Sequence, residues 1–154
     1  PAKKKEKRPV RSAWTESTLE DNEKINMEHN NVAILTGKKS NIVVIDCDVK
    51  DRGVEYFQSL CSQNKYNYAV NTMTVRTPSG GIHVYYKYDE SLSKNHGRLS
   101  EENGNLVGID IRSNNGCVIG PPSKYDNGPY AFISCKRPSD LPEFLVNLFS
   151  KQDQ

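Results

Sequence analysis

Apolar and polar residues fall into blocks along this chain, and the blocks define most of its elements. The densest is Ile42-Val43-Val44-Ile45, four branched apolar residues in succession. Such a run predicts a strand covered on both faces, here over Asn41 to Asp46. Asn31-Val32-Ala33-Ile34-Leu35-Thr36-Gly37 predicts a preceding strand that ends in a glycine turn, with Lys38-Lys39-Ser40-Asn41 as the connection. Thr72 to Arg76 and Ile82 to Tyr88 predict an antiparallel pair joined by Thr77-Pro78-Ser79-Gly80-Gly81. Leu106 to Ile111, Gly116 to Gly120 and Tyr130 to Ser134 predict further strands, with Pro121-Pro122 closing the second of these.

Two segments carry a helical period instead. Val54, Phe57, Leu60 and Cys61 predict a helix from about Arg52 to Asn64, with Asp51 as its N-cap. Leu141, Phe144, Leu145, Leu148 and Phe149 predict a closing helix, and Asp140-Leu141-Pro142-Glu143 has the spacing of a capping box. Residues 15–31 are polar and acid-tipped, and read as one or two short helices anchored by Trp14 and Ile25. Residues 89–105 show no period and read as a loop. The mixture predicts an α+β domain built on a mostly antiparallel sheet.

With 154 residues, the chain is long enough for one domain with a proper core, and 35% hydrophobic content fits a soluble one. No apolar run approaches the roughly 18 residues that span a bilayer, and no signal-peptide pattern opens the chain. An intracellular, cytoplasmic protein without a membrane partner is expected. Cys47, Cys61, Cys117 and Cys135 lie far apart, and only His29, His83 and His96 could join them. That argues against zinc and for free, mostly buried thiols in a reducing compartment.

Charge is unevenly placed. Residues 1–11 hold six basic side chains and one acidic, whereas the remainder holds 15 basic and 18 acidic. Residues 1–12 therefore read as a basic arm, either touching phosphates or simply solvated, and residues 13–150 as the folded domain. The body itself is too acidic for charge alone to argue nucleic-acid binding. Beginning on Pro1, the chain reads as processed or excised from something longer.

Three clusters set polar groups at the ends of apolar strands. Asp46 and Asp48 stand two apart, so they share a side if the strand continues that far. Paired carboxylates there repel, and a divalent cation is a common relief; a solvated acidic turn is the plainer alternative. Ser79-Gly80-Gly81-Ile82-His83 could bring free backbone N–H groups, a hydroxyl and an imidazole to a phosphate, or form an ordinary Gly-Gly hairpin. Asp110 and Arg112 alternate with Ile109 and Ile111, placing a carboxylate and a guanidinium on one face. They could form a simple ion pair, or supply a third metal ligand and a phosphate fork. Together, the clusters suggest a site for metal and triphosphate, the requirement of phosphoryl transfer. No serine and acid accompany His83 as a triad would need, which disfavours a hydrolase.

The order of these clusters resembles the bifunctional DNA primase/polymerase (prim-pol) domains of the archaeo-eukaryotic primase superfamily. Their hhhDxD, SxH and hD motifs are similar to Ile42–Asp48, to Arg76-Thr77-Pro78-Ser79-Gly80-Gly81-Ile82-His83 and to Ile109-Asp110. Lys7-Arg8-Pro9 with Trp14, Asn31–Gly37 and Gly116–Ser123 fit as flanking pieces, so the likeness runs from about Lys7 to Phe132. The resemblance implies an RRM-like sheet joined to a second small α/β unit, with helices around a catalytic cleft. It implies a primase or polymerase acting on a single-stranded DNA template with NTPs or dNTPs. Asp46, Asp48 and Asp110 would hold Mg2+ or Mn2+; Ser79, Gly80 and His83 would meet the incoming nucleotide, joined by Arg112 and Lys39. Lys38 and Arg76 are further candidates for phosphate or template, and Tyr85 and Tyr125 for exposed aromatic contacts. Relatives are often fused to a superfamily 3-type replicative helicase in viruses, phages and plasmids, so such a helicase is the expected partner. Rivals are a two-metal nuclease, which has no use for a triphosphate clamp, and a degenerate nucleic-acid-binding module.

Overall fold

The computed structural model describes residues 31–153. The basic arm and the helices expected at 15–31, with Trp14 and Ile25, lie outside the described residues. Elements run β1 (Val32–Thr36), β2 (Ile42–Cys47), α1 (Gly53–Gln63), α2 (Tyr68–Asn71), β3 (Thr74–Arg76) and β4 (Ile82–Lys87). Then come β5 (Leu99–Ser100), β6 (Leu106–Val107), β7 (Ile109–Arg112), β8 (Gly116–Gly120), β9 (Lys124–Tyr125), β10 (Gly128–Pro129), β11 (Ala131–Ser134) and α3 (Glu143–Ser150). The fold is α+β, and its main sheet has five strands in the order β11-β3-β4-β2-β7 with every pairing antiparallel.

β2 is an interior strand of that sheet, paired with β4 on one side and β7 on the other and covered on both faces, which explains its unbroken apolar sequence. Val43, Ile45 and Cys47 point to one face, where they meet Val84 and Tyr86 of β4, Ile109 and Ile111 of β7, Phe57 and Cys61 of α1, and Leu145 and Phe149 of α3. Ile42 and Val44 point to the other, where they meet Val75, Tyr85, Ala33, Val118, Ile119 and Tyr130. This second face is roofed by the β1–β8 ribbon, with Val32 opposite Gly120 through to Thr36 opposite Gly116. Burying each such branched or aromatic side chain contributes on the order of 1.5–3 kcal/mol. Helices therefore cover one face and strands the other, so among the described residues no helix of a second α/β unit borders the cleft.

Several local expectations are corrected. Asp51 does not cap α1: it and Arg52 take left-handed backbone (φ 56° and 57°), and the first two helical donors, Gly53 N–H and Val54 N–H, bond the carbonyls of Lys50 and, at 2.8 Å, Asp48. Gly53 is required here, because a Cβ would collide with the carbonyls of Gly108 and Asp48. At α3, Pro142 occupies the N-cap position without a side-chain bond, so Asp140 stands two residues too early for a capping box. The strand expected over Leu106 to Ile111 breaks at Gly108 into β6 and β7. The loop at 89–105 contains a 3-10 turn at Glu90–Leu92 and the short β5, paired with β6. No helix among the described residues is long and apolar enough to cross a membrane.

Candidate active site

Three neighbouring strands bring the polar motifs into one row. On the roofed face, Asp46 of β2 lies in register with His83 of β4 on one side and with Asp110 of β7 on the other. The alternation that sends Cys47 fully into the helical core sends Asp46 the opposite way. His83 Nε2 stands 3.3 Å from Asp46 Oδ1, and Arg112 reaches Asp110 Oδ2 at 3.2 Å and Asp46 Oδ2 at 3.8 Å. Asp48, one residue beyond the strand, is tied by its N–H to Gly108 O at 2.7 Å, while its carboxylate accepts from Arg98 at 2.8 Å.

The row opens into a cavity of about 430 Å3, lined by Asp46, Asp48, Thr77, Pro78, Ser79, His83 and Arg112 on the sheet side. Gly116 to Ile119 of β8 close it from above, and Asn95, Asn115, Asn127, Tyr125 and Tyr130 complete the wall. The Tyr130 ring packs on His83 at 6.0 Å between centroids, and Tyr125 packs edge-on against Tyr130 at 5.9 Å. Burial above all pushes the Asp110 carboxyl upward; Arg112 pulls it down, and the Asp46 carboxylate pushes it up again.

Two buried atoms in the row have no hydrogen-bond partner: Asp110 Oδ1 and His83 Nδ1. Orphaned polar atoms are rare in folded proteins, and they cluster where a ligand completes the site. An unsatisfied carboxylate oxygen beside a second carboxylate suits a divalent cation. Even so, no group of three or more His, Cys, Asp or Glu among the described residues is already gathered as a metal site, and Asp48 is paired with Arg98.

The family profile of the bifunctional DNA primase/polymerase N-terminal domain matches residues 1–144. The chain belongs to that family. Prim-pol membership supports a primase/polymerase-type nucleotidyltransferase, and enzymes of this kind are typically metal-dependent. No curated protein matches the sequence.

Within this prim-pol domain the sequence expectations divide. Asp46, Asp48, Ser79, His83 and Arg112 line one cavity, and Asp110 joins them through register. Lys39 does not: it sits on the hairpin before Ile42, at the end of β2 remote from Asp46. Gly80 takes φ +90°, and its N–H is committed to Thr77 O at 3.0 Å, closing the turn, so it is not free for a phosphate. Gly81 serves packing, since a Cβ would come within 2.6 Å of Cys47 O. Tyr85 is 1% exposed beneath the ribbon and offers no surface for a template; Tyr125 does line the cavity. Gly116–Ser123 is expected from sequence as a strand and a flanking piece but not as a cavity wall, and neither Arg98 nor Tyr130 is expected at the site. A Gly-rich strand followed by a Tyr-rich hairpin was the faint signal for the wall and Tyr130, and Arg98 had none.

Proposed function

We propose that this chain is a template-directed nucleotidyltransferase that synthesises or extends a strand from nucleoside triphosphates during DNA replication. One observation carries the reading: Asp46 stands in register between Asp110 and His83, so two carboxylates and an imidazole lie side by side in one row, with Asp46 and His83 on the cavity wall. Asp46 and Asp110, with Asp48 once it leaves Arg98, are the residues that would hold Mg2+ or Mn2+. When bound, such ions polarise the attacking hydroxyl and neutralise developing phosphate charge.

The chain's own groups define the rest. Ser79, on the turn between β3 and β4, presents its hydroxyl at the cavity rim, 3.3 Å from that of Thr77. His83 keeps Nε2 on Asp46 and has Nδ1 to give to a phosphate oxygen; as imidazolium it donates from both nitrogens. Arg112 supplies positive charge that screens the two acids and can turn to a phosphate. Tyr125 and Tyr130 offer aromatic faces on which a base could stack. The β8 roof excludes water from one side, which strengthens each of these charge contacts.

The test is incorporation of labelled NTPs or dNTPs on a single-stranded template with Mg2+ or Mn2+, with and without a primer. Template-dependent product supports the reading. Shortening of the template without nucleotide incorporation supports a nuclease instead, and absence of both, with template still bound, supports a binding module.

A further inference from the structure

One cation beside the carboxylates stands outside the cavity. Arg98 comes from the loop before β5, and its Nη1 lies 2.8 Å from Asp48 Oδ2 and its Nη2 3.7 Å from Asp51 Oδ2. It is absent from the cavity wall, whereas Arg112, the partner of Asp110 and Asp46, belongs to it. Arg98 approaches over Gly108, where a Cβ would stand 3.1 Å from Nη1. The tighter constraint on Gly108 is the Lys50 backbone carbonyl, with which a Cβ would collide.

The main chain under this contact is pinned independently of the side chain. Asp48 N–H donates to Gly108 O at 2.7 Å, Val54 N–H to Asp48 O at 2.8 Å, and Gly108 N–H to Asp51 O at 2.9 Å. The Asp48 carboxylate can therefore change partner by rotation about its own bonds, with its backbone staying in place. Asp51 and Arg52, both left-handed, make the turn that Arg98 braces from one end. Arg52 braces the other by pairing with Glu101 at 2.8 Å.

We propose that Arg98 is a positioning residue: it holds Asp48 apart from Asp46 and Asp110 in the metal-free protein, and a divalent cation must win Asp48 from it. This rests on the reading of the three aspartates as cation ligands. The third ligand then joins only in the fraction of molecules in which Asp48 has left Arg98, and the apparent metal affinity is lowered by that fraction. Arg98 is bonded to Asp48 and lies outside the cavity wall, and its charge also reaches Asp110.

The measurement is Mn2+ binding to the full chain by calorimetry, without nucleotide or template. Arg98→Gln is expected to tighten Mn2+ by about tenfold. Arg52→Gln removes the same charge from the same turn without touching Asp48, and is expected to leave the affinity within about twofold. Arg98→Lys, a milder change that keeps the charge, is expected to tighten binding by about threefold and serves if the glutamine variant does not fold. Equal tightening in Arg98→Gln and Arg52→Gln, no change, or weaker binding in the Arg98 variants overturns the proposal. If the wild type binds Mn2+ and the Arg98 variants bind no tighter, only the role of Arg98 falls. If neither the wild type nor any variant binds Mn2+, the assignment of the aspartates as ligands falls with it.

Discussion

His83 and Asp46 face each other across the β2–β4 ladder, with Nε2 3.3 Å from Oδ1 and only 6% of His83 exposed. The imidazole therefore serves two neighbours: it partners a carboxylate with one nitrogen and leaves the other for a ligand. His83→Ala is expected to weaken nucleoside triphosphate binding by about tenfold, the scale of one hydrogen bond to a charged group. The loss should appear in equilibrium nucleotide binding as well as in turnover. Unchanged nucleotide affinity in a folded variant would contradict the role given to His83.

Asp110 is held at a cost. Burial and the facing Asp46 carboxylate push its carboxyl upward despite Arg112, so its ionised form is disfavoured in the fold. Asp110→Asn removes that charge while keeping the shape. Nucleotide incorporation is expected to fall by at least about 100-fold, the scale of removing one preorganised charge group, while the melting temperature of the metal-free protein holds or rises. A large drop in melting temperature would show that the carboxylate is there for structure.

The two glycines of the β3–β4 turn are expected to differ. A Cβ on Gly81 meets the backbone carbonyl of Cys47 at 2.6 Å, and β2, paired on both sides, cannot easily move away. On Gly80 it meets only Val49 Cγ2 at 3.5 Å, and the cost there is the left-handed backbone. Gly80→Ala should cost about 1 kcal/mol, and Gly81→Ala about 1–3 kcal/mol more through overpacking. Urea unfolding of both variants checks the order.

Alkaline pH should weaken the fold through its buried thiols and phenols. Burial pushes the Cys61 thiol up to about 12, and raises Cys47, Tyr85, Tyr86 and Tyr130 above their ordinary ranges. A folded-state value above the unfolded one favours the neutral, folded form. That stability is fully present below the unfolded values, about 8.5 for Cys and 10 for Tyr, and is lost as pH rises beyond them. Melting temperature should be level between pH 7 and 8 and decline steadily above about 9. A profile that stays level or rises to pH 10.5 would contradict it.

Much of this site could be read from sequence because strand chemistry is local. The four apolar residues at Ile42–Ile45 fixed a central strand, its period of two separated Asp46 from Cys47, and the same period joined Asp110 to Arg112. The misreadings came where a tertiary contact replaced a local signal. Asp51 has the chemistry of a cap, but the Asp48 carbonyl took that task and Asp51 turned to Arg98. Tyr85 looked exposed because nothing local revealed that β1 and β8 would roof that face of the sheet. Arg98 sits in a stretch without period, between the His96–Ile111 bridge and the short β5–β6 hairpin, and its partner Asp48 lies 50 residues away in sequence.

The most direct measurement is template-dependent nucleotide incorporation by the wild type beside the Asp46→Ala, Asp48→Ala double variant, under Mg2+ and Mn2+ in turn. The two carboxylates at the end of β2 are expected to be indispensable: product from the wild type, and a loss of at least about 1,000-fold in a folded double variant. Synthesis that survives the double substitution, or a wild type that makes no product with either metal, would contradict the assignment of this row of residues as the centre of nucleotidyl transfer.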